Sequence, residues 1–199
     1  MRTLLICIGG LVLGAPLRAQ VRRWNVTLEV GELRFRGTSA DTSSDAAGAF
    51  RPYRPSTLGL RVEQGGGTVR LGLGLVYGAG PAALIGPDVS VAAVQNPLTL
   101  LELAPTLSLR LSRIGSGALW LGGGPVIDHW AWAVAPSRWR AGAEVAARVE
   151  APLGRATALT VRMGAARTAS MLEDADLPPT FERRASWRSS IALGLTVRR

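Results

Sequence analysis

Residues 139–151 read WRAGAEVAARVEA. The odd positions are all apolar: Trp139, Ala141, Ala143, Val145, Ala147, Val149 and Ala151. The even positions are Arg140, Gly142, Glu144, Ala146, Arg148 and Glu150. Successive side chains on a strand point to opposite faces, so this stretch predicts a strand with one apolar and one charged face. A solvated face would mix in Ser, Thr and Lys. Charges of alternating sign point instead to an enclosed, internally paired surface. Ala, Glu and Arg also favour helices. On a helical wheel, however, Glu150 falls among the alanines, and Ala147 and Ala151 fall among the charges. The strand template fits better.

Seven further stretches repeat the two-faced pattern. Over 23–36, Trp24, Val26, Leu28 and Val30 share a face. After Gly31 the apolar set becomes Leu33 and Phe35, which predicts a β-bulge at that glycine. Over 57–64, Leu58, Leu60 and Val62 oppose Arg61 and Glu63, and over 68–78 the apolar set Val69–Tyr77 opposes Arg70, Gly72 and Gly74. The stretches 98–112 and 118–127 form the next pair, with Pro105 and Pro125 facing each other about a turn at Gly115. Proline gives the ladder no donor, so a local irregularity is expected there. The last two stretches are 156–167 and 185–199. The connections then alternate long and short, the long ones being 37–56, 79–97, 128–137 and 168–184. The apolar segment Asp88–Val94 is expected to add a short strand within the second long loop.

Composition narrows the class. Met1-Arg2-Thr3, an apolar run over 4–13 and Ala19 before Gln20 read as a secretory signal peptide over 1–19, leaving one domain over 20–199. Cys7 would leave with it, which excludes disulfides and cysteine metal sites from the mature chain. No cofactor and no metal site are expected. The hydrophobic fraction is 47% with 24 glycines, yet no other segment is apolar long enough for a membrane helix. An outer-membrane β-barrel reconciles these, because its lipid-facing residues are apolar only at alternate positions. All 23 basic residues are arginine, and loss of Arg2 and Arg18 lowers the net charge from +9 to +7. Nucleic acid is not an expected partner of an exported chain without a basic cluster carrying stacking aromatics.

Strand count, alternation, loop order and signal segment together resemble the small eight-stranded outer-membrane β-barrels of the OmpA/OmpX type, over about residues 23–199. The resemblance implies an all-β, antiparallel up-and-down transmembrane barrel with short periplasmic turns and long extracellular loops. It further implies residence in the outer membrane of a Gram-negative-type bacterium. The expected partners are outer-membrane lipid, lipopolysaccharide and, during biogenesis, the barrel-assembly machinery, with the protein itself a monomer. One departure is the final strand, which ends Thr196-Val197-Arg198-Arg199 rather than on an aromatic residue.

Parity assigns residues to places. The interior should hold Glu29, Arg61, Glu63, Arg70, Glu102, Arg110, Glu144, Arg148, Glu150, Arg162 and Arg188. Five glutamates and six arginines in so narrow a barrel should pair, giving a salt-bridge plug; a gated solute path is the alternative. Trp24, Phe35, Tyr77, Trp130, Trp132, Trp139 and Trp187 lie near strand ends and are expected as interfacial aromatics, whereas Trp120 points inward. Arg51, Arg54, Arg138, Arg140, Arg167, Arg183 and Arg184 are candidates for lipid phosphate contacts. The expected role is structural or in surface interaction rather than enzymatic. Some barrels of this type modify lipid A, so the single histidine, His129, is a weak catalytic candidate beside Asp128 and Ser137. A soluble lipocalin-like barrel is the third reading, though inward charges suit an apolar ligand poorly.

Overall fold

The structure, a computed structural model, describes residues 23–41, 49–85, 90–92, 98–133, 135–177 and 179–199. The expected signal segment 1–19 lies outside them. Eight long strands form: β1 (Trp24–Asp41), β2 (Ser56–Gly66), β3 (Val69–Gly80), β4 (Leu98–Ile114), β5 (Gly117–Trp132), β6 (Ala135–Pro152), β7 (Thr157–Thr168) and β8 (Phe181–Arg198). Each pairs antiparallel with its sequence neighbour, and β1 pairs with β8 to close the barrel. Reciprocal backbone bonds between Trp24 and Arg199, 2.9 and 2.8 Å, finish the seam.

The alternation explains the closed form. Leucine, valine and isoleucine side chains stand exposed around the outside of all eight strands, a belt suited to lipid. Charged, small and hydroxyl residues face the lumen. Size is matched across strands: Arg61 of β2 lies opposite Gly74 of β3, and Glu63 lies opposite Gly72. A Cβ on Gly74 would sit 3.0 Å from the Arg61 guanidinium, and one on Gly72 2.9 Å from Glu63 Cγ. The β3 glycines are therefore the space into which the β2 charges fold.

Three expectations about local structure change. First, there is no bulge at Gly31. The ladder to β8 runs unbroken from Gly31–Ala192 to Gly37–Ser186 and shifts only between Gly37 and Ser39, where Gly37 and Thr38 have φ of 79° and 81°. Leu33 and Phe35 keep the inward phase of Glu29; what changes is the character of the interior. Second, 128–137 is no long loop. β5 continues to Trp132 and β6 begins at Ala135, because Asp128, Trp130 and Trp132 prolong the inward face of β5. Third, the long loops carry structure. Ala49–Pro52, Ala82–Ile85 and Ser90–Ala92 form a separate three-stranded sheet, the last of them inside the segment expected to add a strand.

The paired prolines lie in a gap of the β4–β5 ladder between Leu103–Ile127 and Leu107–Gly123. Both prolines are exposed on the outer face, and no β4–β5 residue pairing is made across the gap that holds them. The backbones still touch there: a Cβ on Gly124 would come within 2.0 Å of the Pro105 carbonyl oxygen.

At the loop end the barrel is filled by an apolar cluster of Leu33, Phe35, Ala82, Leu98, Leu100, Trp130, Met171 and Leu172. Phe35 and Trp130 meet edge to face with ring centroids 5.5 Å apart. Met171 and Leu172 come from the β7–β8 connection, anchored where Ser170 Oγ donates to the Thr38 carbonyl at 2.9 Å.

Candidate functional site

The lumen below that cluster is a stack of ion pairs. Alternation on the strands brings these side chains together, and each layer draws on several strands. Nearest the short turns, Arg70 of β3 donates to both Glu150 oxygens at 2.5 and 3.2 Å. Arg148 lies 2.7 Å from Glu63 and 3.3 Å from Glu150, and Arg198 reaches Glu150 at 3.1 Å. Trp120 lies beneath the Arg70 guanidinium, 3.7 Å from its ring centroid. The next layer holds Arg162 and Glu144 at 2.7 Å, with Arg61 3.8 Å from Glu29. Above it Arg188 bonds both Glu102 and Asp128, the latter at 2.6 Å.

Removing these groups from water costs several kcal/mol per unpaired ion, which is why both signs are present at every level. Two cavities remain among them, about 30 and 20 Å³, each with room for about one water molecule.

Of the eleven interior charges expected, ten stand in these pairs. Arg110 does not: it is half-buried at the turn-end mouth, 5.9 Å from the Trp120 ring, and makes no ion pair with the described residues. A register shift between Arg110 and Ser112 ends the regular ladder there. Two members went unpredicted. Asp128 is fully buried and Arg198 is half-buried. The parity that placed Gly122 and Gly124 inward would have placed Asp128 had β5 been extended, and Thr196 would have placed Arg198.

The aromatics divide. Trp24, Tyr77, Trp139 and Trp187 stand exposed on the outer surface. Phe35 and Trp130, each 4% exposed, belong to the apolar cluster, and Trp132 packs against it beside Phe50. Their expected interfacial position is corrected: they lie on the inward face of strands that rise past the charged lumen. Trp120 points inward, as its parity predicts.

The candidate phosphate-binding arginines also divide. Arg138 pairs with Asp176, and Arg140 with Glu173 and the Ser170 carbonyl. Both therefore tie down the β7–β8 connection from the inner side instead of facing lipid. Burial raises the Asp176 carboxyl, but hydrogen bonds from Arg138 and the Glu173 backbone outweigh it and hold the group below its ordinary range. Arg51 donates to the Phe35 carbonyl at 2.5 Å, and Arg54 lies over the Tyr53 ring. Arg167 covers the outward Trp187 ring at 5.3 Å. Arg183 pairs with Glu173 at 2.6 Å, and Arg184 lies 3.9 Å from Glu182, both on the exposed surface.

His129 and Asp128 do not form a catalytic pair. Neighbours on a strand face opposite ways. Asp128 points into the lumen toward Arg188, while the His129 ring lies 4.6 Å from outward Trp139.

No protein-family model matches the sequence, and no curated protein matches it. Solved structures do. Neisserial surface protein A is similar at a TM-score of 0.55 and 8% identity, covering 87% of this chain and 96% of that one. OprG from Pseudomonas aeruginosa gives a TM-score of 0.57 at 9% identity, with 89% and 95% covered. Ail, the attachment invasion locus protein of Yersinia pestis, solved with the heparin analogue sucrose octasulfate, gives 0.53 at 10% identity, with 89% and 99% covered. The chain has the fold of the small eight-stranded outer-membrane β-barrels.

Proposed function

We propose that this is an exported outer-membrane barrel with a closed lumen, acting at the cell surface through its loop end. The observation that carries the reading is the filled interior. Three layers of charge and an apolar cluster fill the lumen among the described residues, and the two cavities within the charged stack are water-sized, so a solute path would require the pairs to break. Function then falls to the loop end, where the small sheet gives a structured surface and the exposed Arg54 and Arg167, stacked on Tyr53 and Trp187 and without an ion pair among the described residues, offer guanidinium groups to anions. Lipopolysaccharide phosphates and sulfated or phosphorylated surface glycans are the chemistry such a surface would meet, with the barrel a monomer in lipid. His129 has no catalytic part in this reading.

The test is purified protein in planar bilayers. Only brief, small current fluctuations are expected. A reproducible steady conductance would overturn the closed lumen. Fractionation checks the setting: the mature chain, lacking residues 1–19, should be found in the outer membrane and migrate differently on gels when unheated.

A further inference from the structure

The ion-pair stack is unevenly charged. Glu29, Glu102, Asp128 and Glu144 face Arg61, Arg162 and Arg188, so the upper two layers carry four carboxylates against three guanidiniums. At the turn end the balance reverses. Glu63 and Glu150 face Arg70, Arg148 and Arg198, and Arg23, Arg110 and Arg113 gather at the same mouth. That is six arginines for two glutamates.

These groups do not merely crowd a convex rim. Arg23, Arg70, Arg110, Arg113 and Arg198 line one cavity of about 380 Å³ with Trp120 and Glu150. It is more than ten times the volume of either cavity in the charged stack. Glu150 is already engaged by three arginines, and Arg23, Arg110 and Arg113 make no ion pair with the described residues. Buried Trp120 forms the inner wall, bracketed by Arg70 and Arg110, which accounts for an aromatic residue on the charged face.

We propose that this turn-end vestibule binds a phosphate-type oxyanion. Guanidinium groups match phosphate oxygens two at a time, and a concave low-dielectric wall concentrates their field on whatever enters. Arg110 and Arg113 supply direct contacts. Arg70 stays on Glu150 and stiffens the Trp120 wall. The anion is either a free phosphate compound arriving along the barrel axis or the headgroup phosphate of an anionic lipid at the rim. The inference is independent of the surface role proposed for the loop end.

The test follows the Trp120 indole N–H signal by NMR in nanodiscs, with Trp139 at the far end as an internal control. Pyrophosphate is titrated into phosphatidylcholine nanodiscs. Separately, phosphatidylcholine is replaced by phosphatidylglycerol without added anion. A saturable Trp120 shift with pyrophosphate supports a free ligand; a shift only with phosphatidylglycerol supports the lipid source. In either case Arg110→Gln/Arg113→Gln should weaken the response at least about tenfold, while Arg155→Gln, at the same end but outside the cavity, should not. Arg113 is exposed, so the single Arg113→Gln variant tests the site without touching the packed pairs. No Trp120 shift in either arm would overturn the proposal, as would a response undiminished in the double variant.

Discussion

β1 passes through two regions whose insides and outsides are inverted. From Trp24 to Val30 its exposed residues are apolar and its buried residues are Asn25, Thr27 and Glu29. From Leu33 to Arg36 its buried residues are Leu33 and Phe35, and its exposed ones are Arg34 and Arg36. The pleat does not change phase between them. What changes is the medium outside. Where lipid surrounds the strand, apolar side chains face out and the lumen takes the polar set. Where water surrounds it, the barrel is organised as a soluble domain, with a dry core. The inversion near Gly31 therefore marks the level at which the barrel leaves the bilayer on this strand.

The largest expected effect tests the charged region. Glu150 is the carboxylate shared by Arg70, Arg148 and Arg198, so Glu150→Gln leaves buried cations with too few partners. It should cost about 3–5 kcal/mol in urea unfolding from lipid vesicles. A loss below about 1 kcal/mol would mean that water, not carboxylate, balances those cations.

The apolar region should respond to volume instead. Phe35→Ala opens a cavity against Trp130 and should cost about 3 kcal/mol, whereas its outward neighbour tested as Arg34→Gln should change stability by less than about 0.5 kcal/mol. Equal effects at the two positions would break the comparison between inside and outside.

The smallest effect concerns the strap that closes the dry core. The Asp176 carboxyl is held below its ordinary value near 3.8 by Arg138, so its contribution is complete above that value and is lost as pH falls through the lowered native one. Hydrogen exchange of the 170–177 amides should speed up in that acidic window. Arg138→Gln should already show the faster exchange at neutral pH, by about fivefold for a pair worth about 1 kcal/mol, and with little further change in acid.

Most of the barrel is legible in the alternation of side chains, and the places where it misleads share a physical cause. Alternation at Arg61, Glu63, Arg70 and Glu144 is enough to put their side chains on one face, because period two needs no knowledge of partners, and in the structure that face is the lumen. At Gly31 and after Ile127 the apolar set switches or dissolves, and alternation taken with one medium outside every strand predicts a bulge and a loop there. Phe35, Trp130 and Trp132 are expected at the membrane interface because aromatics near strand ends suit the headgroup zone. Nothing local distinguishes an aromatic that faces headgroups from one that faces a dry core at the same height. Arg138 and Arg140 read as candidates for lipid phosphate for a similar reason: their partners, Asp176 and Glu173, lie more than thirty residues away.

Residue order alone dictates which side chains share a face on each strand, how many strands close the barrel, and that the enclosed face must balance its charges. Those follow from backbone geometry and from the cost of an unpaired ion away from water. Which arginine meets which carboxylate, where the charged lumen gives way to a dry core, and the gathering of surplus arginines around Trp120 at one mouth follow from the closed barrel. These depend on the stagger of eight strands around the closed ring. That stagger sets the height of every side chain relative to the others, and no single strand encodes it.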